Sequence, residues 1–137
     1  MEQFLITLLS IGAAAVGYLI VTFWVRPILR YRETKYRVAA DLVFFANAME
    51  LQKQDGTLRE DTLRRKDSNR RCASELKTIY SDLPFWYRFL LERLKENPIE
   101  ASADLIGLSN SSSWNDGLEF EKAVRKHLKI PVKNEKP

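Results

Sequence analysis

Five cations fall within eight residues, at Arg64, Arg65, Lys66, Arg70 and Arg71, with Asp67 as the one acid between them. Lysine and arginine at this density suit phosphate oxygens, which they attract by charge and hold by hydrogen bonds. The chemistry implied is recognition of a polyanion such as a single-stranded oligonucleotide. A solvated helical face accounts for the same residues, because Asp61 and Asp67 can pair with some of the cations at i+3 or i+4. Both readings stay open.

Residues that could do covalent chemistry are few. His127 is the single histidine and falls on the apolar side of its helical pattern, where packing or capping is the ordinary use. A lone histidine excludes paired-His metal motifs. Cys72 is the single cysteine, so no internal disulfide can form, and its apolar helical position suits a core thiol. Ser109 to Ser113 offers hydroxyls with no identifiable base, and there is no Walker loop, GxGxxG or CxxC. The sequence predicts no catalytic residues, no metal, no cofactor and no enzyme.

The element that positions everything else is the run from Phe4 to Val25, FLITLLSIGAAAVGYLIVTFWV, whose only ionisable side chain is Tyr18. A helix of this length covers about 33 Å, enough for a hydrocarbon core of ~30 Å. In lipid a helix satisfies its own backbone, so a transmembrane anchor is expected. A cleaved signal peptide fits less well: no Lys or Arg precedes the run, it is too long for a signal core, and nothing like A-x-A precedes Arg26. Thr7, Ser10, Ala14 and Gly17 follow i, i+3, i+7, i+10 spacing on one face, and Ala13 and Gly17 form a small-xxx-small pair. Close packing with a second copy is expected through this stripe; whether it faces a neighbour or lines a pore is not fixed by spacing.

The flanks set the orientation. Only Glu2 and the terminal amine precede the run, whereas Arg26, Arg30, Arg32, Lys35 and Arg37 follow it. Positive charge stays inside, so the expected topology is single-pass, N-terminus out and C-terminal domain cytoplasmic, with these five cations at lipid headgroups. The formal net charge of +4 favours an anionic neighbour, though topology already explains part of it.

The rest of the chain suffices for one small domain. Pro27 should kink or restart the helix. From Ile28 to Gln52 a stripe of Ile28, Tyr31, the Lys35 stem, Ala39, Leu42, Ala46 and Met49, broadened by Val43 and Phe45, predicts a helix buried against more than one partner. A turn at Gln54-Asp55-Gly56 precedes a helix over 58–83, apolar at Leu58, Leu63, Cys72, Leu76, Ile79, Tyr80 and Leu83 and stopped by Pro84. Phe85 to Glu96 reads as a short amphipathic helix with Trp86, Phe89, Leu90 and Leu94 inward; lying on the membrane, with Arg88 and Arg93, is the alternative. Asn97-Pro98 gives a cap and a first helical proline for a helix over 99–108. After a polar loop the last helix opens at Asn115-Asp116-Gly117, with Asp116 and Glu119 at capping-box spacing and Phe120, Ala123, Val124, His127 and Leu128 inward. No stretch alternates with period two, so no sheet is expected. The predicted fold is all-α: residues 1–27 as anchor and junction, 28–130 as a compact cytoplasmic bundle of about four to five helices, and 131–137 as a basic tail.

Leu42–Met49 (LVFFANAM), Leu105–Ser111 (LIGLSNS) and Lys126–Ile130 (KHLKI) resemble landmarks of a family of small bacterial one-span proteins. That resemblance implies an N-terminal membrane helix, a basic junction and a helical cytoplasmic domain, and specifies no reaction. The layout is also similar to membrane effectors of antiphage systems, including the channel-forming partner of a nucleotidyltransferase in the Hailong system. The similarity implies a homo-oligomeric inner-membrane effector, a gated pore or ion channel in antiviral defence. Its domain would sense a signal, with a single-stranded oligonucleotide or a nucleotide-synthesising protein as partner. The alternative is a passive anchor or adaptor that recruits a cytoplasmic partner.

Overall fold

The structure, a computed structural model, describes residues 1–46, 58–111 and 113–131. Among them are five helices and no strand: α1 (Glu2–Phe44), α2 (Leu58–Asp82), α3 (Phe85–Arg93), α4 (Pro98–Asn110) and α5 (Trp114–His127). Met49, the turn at Gln54-Asp55-Gly56, the Leu58 side chain and the tail beyond Pro131 lie outside the described residues.

Helix α1 is long and apolar enough to cross a membrane. None of the described residues covers its first half: Glu2–Ile20 buries no residue, so Phe4, Leu9, Ile11 and Val16 are all exposed. The helix then continues through Pro27 instead of restarting there. A π-helical turn at Val21–Val25 precedes the proline, with the Arg26 N–H reaching back to the Val21 carbonyl. Pro27 can donate nothing to the Phe23 carbonyl four residues back, and a widened turn accommodates its ring without ending the helix.

The second half of α1 enters the domain core through Tyr31, Thr34, Val38 and Leu42, spaced at i+3 and i+4. The buried strip is narrower than the sequence stripe. Ile28, Lys35, Ala39 and Phe45 are half-buried, while Val43 and Ala46 are exposed. Helix α2 runs antiparallel to it, so Asp41 meets Ser68 at 2.5 Å and Thr34 and Arg37 meet Glu75 at 3.3 and 3.0 Å. Cys72, Ala73, Leu76, Ile79 and Leu83 form its buried side. Leu63, expected among them, is exposed, because the buried face of α2 at that level is taken by Arg65 and Asn69.

Helix α4 packs along α2 and α5 along α4. Asn97 caps α4 as its sequence suggests, its side-chain oxygen accepting from the Ile99 and Glu100 N–H groups at 3.2 Å each. Gly107 permits the close approach of α5, since a Cβ there would stand 2.4 Å from the Phe120 ring. Helix α5 begins earlier than expected, at Trp114 with Ser113 as N-cap. Asp116 therefore lies inside the first turn and is not the cap.

Two helix ends carry a signal the sequence hides. After α3, Lys95 adopts φ 56°, its N–H bonding the Glu92 carbonyl and the Glu96 N–H the Leu91 carbonyl. After α5, Lys129 adopts φ 52°, with the same pair of bonds from Lys129 to Lys126 and from Ile130 to Arg125. Both are Schellman turns with lysine where glycine is usual.

Helix α3 is turned opposite to expectation. Leu91 is its one buried residue and Tyr87 is half-buried, whereas Phe85, Trp86, Phe89, Leu90 and Leu94 are exposed. Both faces of this helix are apolar, and the smaller set reaches the core because Tyr87 meets Tyr31 edge-on, with ring centroids 6.2 Å apart.

Candidate functional site

The densest polar node lies where the long helix enters the domain. The Schellman turn at Lys95 aims Glu96 back into the molecule, where it is almost fully buried. Tyr31 donates its phenol to Glu96, and Lys35 Nζ reaches both carboxylate oxygens at 2.8 and 2.9 Å. Burial first, then the hydrogen bond and charge of Glu96, push the Tyr31 phenol far above its usual range. The same burial, with Glu96 second, raises Tyr87. The next residue extends the node. The Asn97 N–H bonds the His127 carbonyl at 2.8 Å while its side chain caps α4. Residues 95–97 thus tie α3, α4 and the end of α5 to α1. This node fastens α1 to the rest of the domain.

Next to it a groove of ≈ 550 Å³ separates the end of α2 from the junction of α1, lined by Thr22, Phe23, Arg26, Pro27, Arg30, Ile79 and Asp82. Of the five cations assigned to headgroups, Arg26, Arg30, Arg32 and Arg37 are exposed. Lys35 is committed to Glu96, and Arg37 pairs with Glu75 and Glu33.

In the first half of α1, Thr7 and Ser10 return their hydroxyls to the Gln3 and Ile6 carbonyls at 2.9 Å each. This back-bonding lets a hydroxyl sit on an apolar helix. Ala14 and Gly17 are exposed, and a Cβ on Gly17 would meet nothing within 4 Å.

The structure distributes the basic window of α2 over three faces. Arg64 pairs with Glu60 at 2.6 Å and Arg71 with Asp67 at 3.0 Å, forming an exposed strip of alternating charge. Arg65 turns inward and is 5% exposed; its Nε and Nη1, like Asn69 Nδ2, have no partner among the described residues. Burial lowers its pKa, which Glu121 partly counters, and the ≈ 10 Å³ cavity beside it has room for about one water. Arg70 bridges to α4 through Ser109 Oγ at 3.4 Å and Asn110 Oδ1 at 3.0 Å. Lys66 shares the Arg70 strip, at i, i+4 spacing, and Lys77 extends it at i+11. Arg70, Ser74, Lys77 and Asn110 line a groove of ≈ 440 Å³ between α2 and α4. Lys77 lies outside the sequence window, and only the helical register relates it to Lys66 and Arg70.

The two residues with covalent potential are structurally engaged. His127 Nδ1 lies 2.6 Å from Asp104, joining α5 to α4. Cys72 is buried, and burial, with Asp41 and Glu75 adding to it, pushes its thiol up to about 11. No group of three metal-ligating side chains occurs among the described residues. No family model, curated protein or solved structure matches this chain.

Proposed function

We propose that the chain is a homo-oligomeric membrane effector of bacteria, with Phe4–Val25 as a single span, its N-terminus outside and its helical domain in the cytoplasm. The observation that carries this reading is the continuity of α1. Its first half is covered by none of the described residues, while its second half is clamped in the core by Tyr31, Val38 and Leu42. A movement of the domain is therefore passed to the span along one continuous helix. A gated pore in antiphage defence is the form suggested by the architectural similarity, and a single-stranded oligonucleotide is the signal suggested by the cations of α2.

The test is the mass of the purified protein in detergent and in nanodiscs, followed by ion flux through liposomes that hold it. A closed oligomer that conducts ions when the Tyr31–Glu96 node is loosened by Glu96→Gln supports the effector. A monomer, or an oligomer silent in both forms, returns the chain to an anchor or adaptor.

A further inference from the structure

We propose that α3 is an interfacial membrane helix that lies in the headgroup layer of an anionic leaflet beside the span. This rests on the reading that Phe4–Val25 crosses a bilayer. Phe85, Trp86, Phe89 and Leu90 form one continuous exposed face on a nine-residue helix, with Phe85 at 78% and Phe89 at 60% exposure. Leu91 is the only buried residue of the helix, so most of the apolar surface of α3 is left uncovered by the described residues. Lipid is the occupant because of where the fold puts the helix. Ile79 and Asp82, at the end of α2, face Thr22 to Arg30 of α1 across the junction groove. After Leu83 and Pro84, α3 starts from that level and docks on Tyr31 through Tyr87. Tyr31 lies six residues past Val25, about 9 Å along the helix axis, close to the depth of one headgroup layer at ~5–8 Å.

Charge agrees with this placement. Arg93 extends over the Phe89 ring, 5.6 Å from its centroid, at the rim of the apolar face. Arg26, Arg30 and Arg32 are exposed on the neighbouring stretch of α1, and with Arg93 they outnumber Glu33, Asp82 and Glu92, the nearby acids in sequence and groove. Aromatic side chains backed by arginine are the composition of a helix lying in the interface plane.

The experiment uses the full chain in liposomes of phosphatidylcholine and phosphatidylglycerol whose acyl chains are brominated near the headgroup. Trp24→Phe with Trp114→Phe leaves Trp86 as the reporter; Trp86→Phe with Trp114→Phe leaves Trp24. An indole held ~5–10 Å into the interface should lose roughly half its emission to bromine. Loss at both reporters is the expected result. Loss at Trp24 without loss at Trp86 overturns the proposal and leaves the span intact, and a blue-shifted but unquenched Trp86 overturns it in favour of a protein neighbour. No loss at either reporter overturns the span as well. Should Trp114→Phe not fold, a nitroxide on Phe89→Cys reports the same depth through its exposure to oxygen against an aqueous nickel chelate, because Cys72 is buried and stays unlabelled.

Discussion

Tyr31 and Glu96, 65 residues apart, meet in the interior, the phenol donating to a carboxylate that Lys35 holds by both oxygens. One partner belongs to the helix that carries the candidate span and the other to the turn that links α3 to α4. Removing Glu96 leaves a buried phenol and a half-buried ammonium without their acceptor. Glu96→Ala should cost about 2–4 kcal/mol, and Tyr31→Phe, which keeps the Lys35–Glu96 pair, about 1–2 kcal/mol. Thermal melts in detergent give the order; equal losses would mean that Lys35 contributes nothing.

Gly107 and Phe120 give a prediction whose sign can be reversed. Alanine in a helix is worth ~1 kcal/mol over glycine, while overpacking typically costs ~1–3 kcal/mol. With a Cβ landing 2.4 Å from the ring, Gly107→Ala should destabilise the protein by about 1 kcal/mol net. In a Phe120→Leu background the same change should become neutral or stabilising. A fixed loss in both backgrounds would place the strain elsewhere in α4.

Stability should fall at alkaline pH. An unfolded cysteine ionises near ~8.5, whereas Cys72 in the fold holds its proton up to about 11. Between those values the unfolded chain binds fewer protons, so the stabilisation is complete below the lower value and lost as pH rises through the upper one. Cys72 alone accounts for about 3 kcal/mol at ~1.36 kcal/mol per pKa unit, and the raised phenols of Tyr31 and Tyr87 extend the fall. Cys72→Ala should flatten the slope of melting temperature against pH in this range. An unchanged slope would assign it to the tyrosines.

The sequence made most of the helices legible and fewer of their orientations. Asn97-Pro98 announces α4 because a cap and a first-turn proline are local chemistry, and Leu76, Ile79 and Leu83 mark the dense core side of α2. Phe4–Val25 declares itself by length and polarity alone. Helix α3 could not be oriented this way, because the apolar residues of Phe85–Leu94 cover most of its circumference and only the docking of Tyr87 on Tyr31 decides. Glu96 and Arg65 were hidden by the ordinary expectation that charges stay outside. Lys95 and Lys129 hid two helix stops, since neither position carries the glycine that would signal a left-handed residue.

The distribution of charge on α2 separates two groups of cations that the sequence leaves in one window. Arg64 and Arg71 each have an acid one turn away, and both pairs are exposed, so their fields largely cancel in water. Arg65 is inside and cannot reach a ligand on the surface. Lys66, Arg70 and Lys77 share a different strip, and the last two line the groove against α4 with Ser74 and Asn110. On the proposed function, oligonucleotide binding should therefore depend on that strip. Lys66→Gln with Lys77→Gln should weaken binding and lower the salt slope, by roughly 0.7 for each phosphate of a single strand that is no longer neutralised. Arg64→Gln with Arg71→Gln should change little, because it removes cations that are already paired. Arg65→Met should leave binding unchanged and be neutral to stabilising by about 1 kcal/mol, since it replaces an under-partnered buried cation with apolar packing. Fluorescence titration of a single-stranded oligonucleotide onto the intact assembly at two salt concentrations tests all three. Equal losses in the two double variants would mean that charge acts without regard to position, and no binding at low salt would leave the strip as a solvated face.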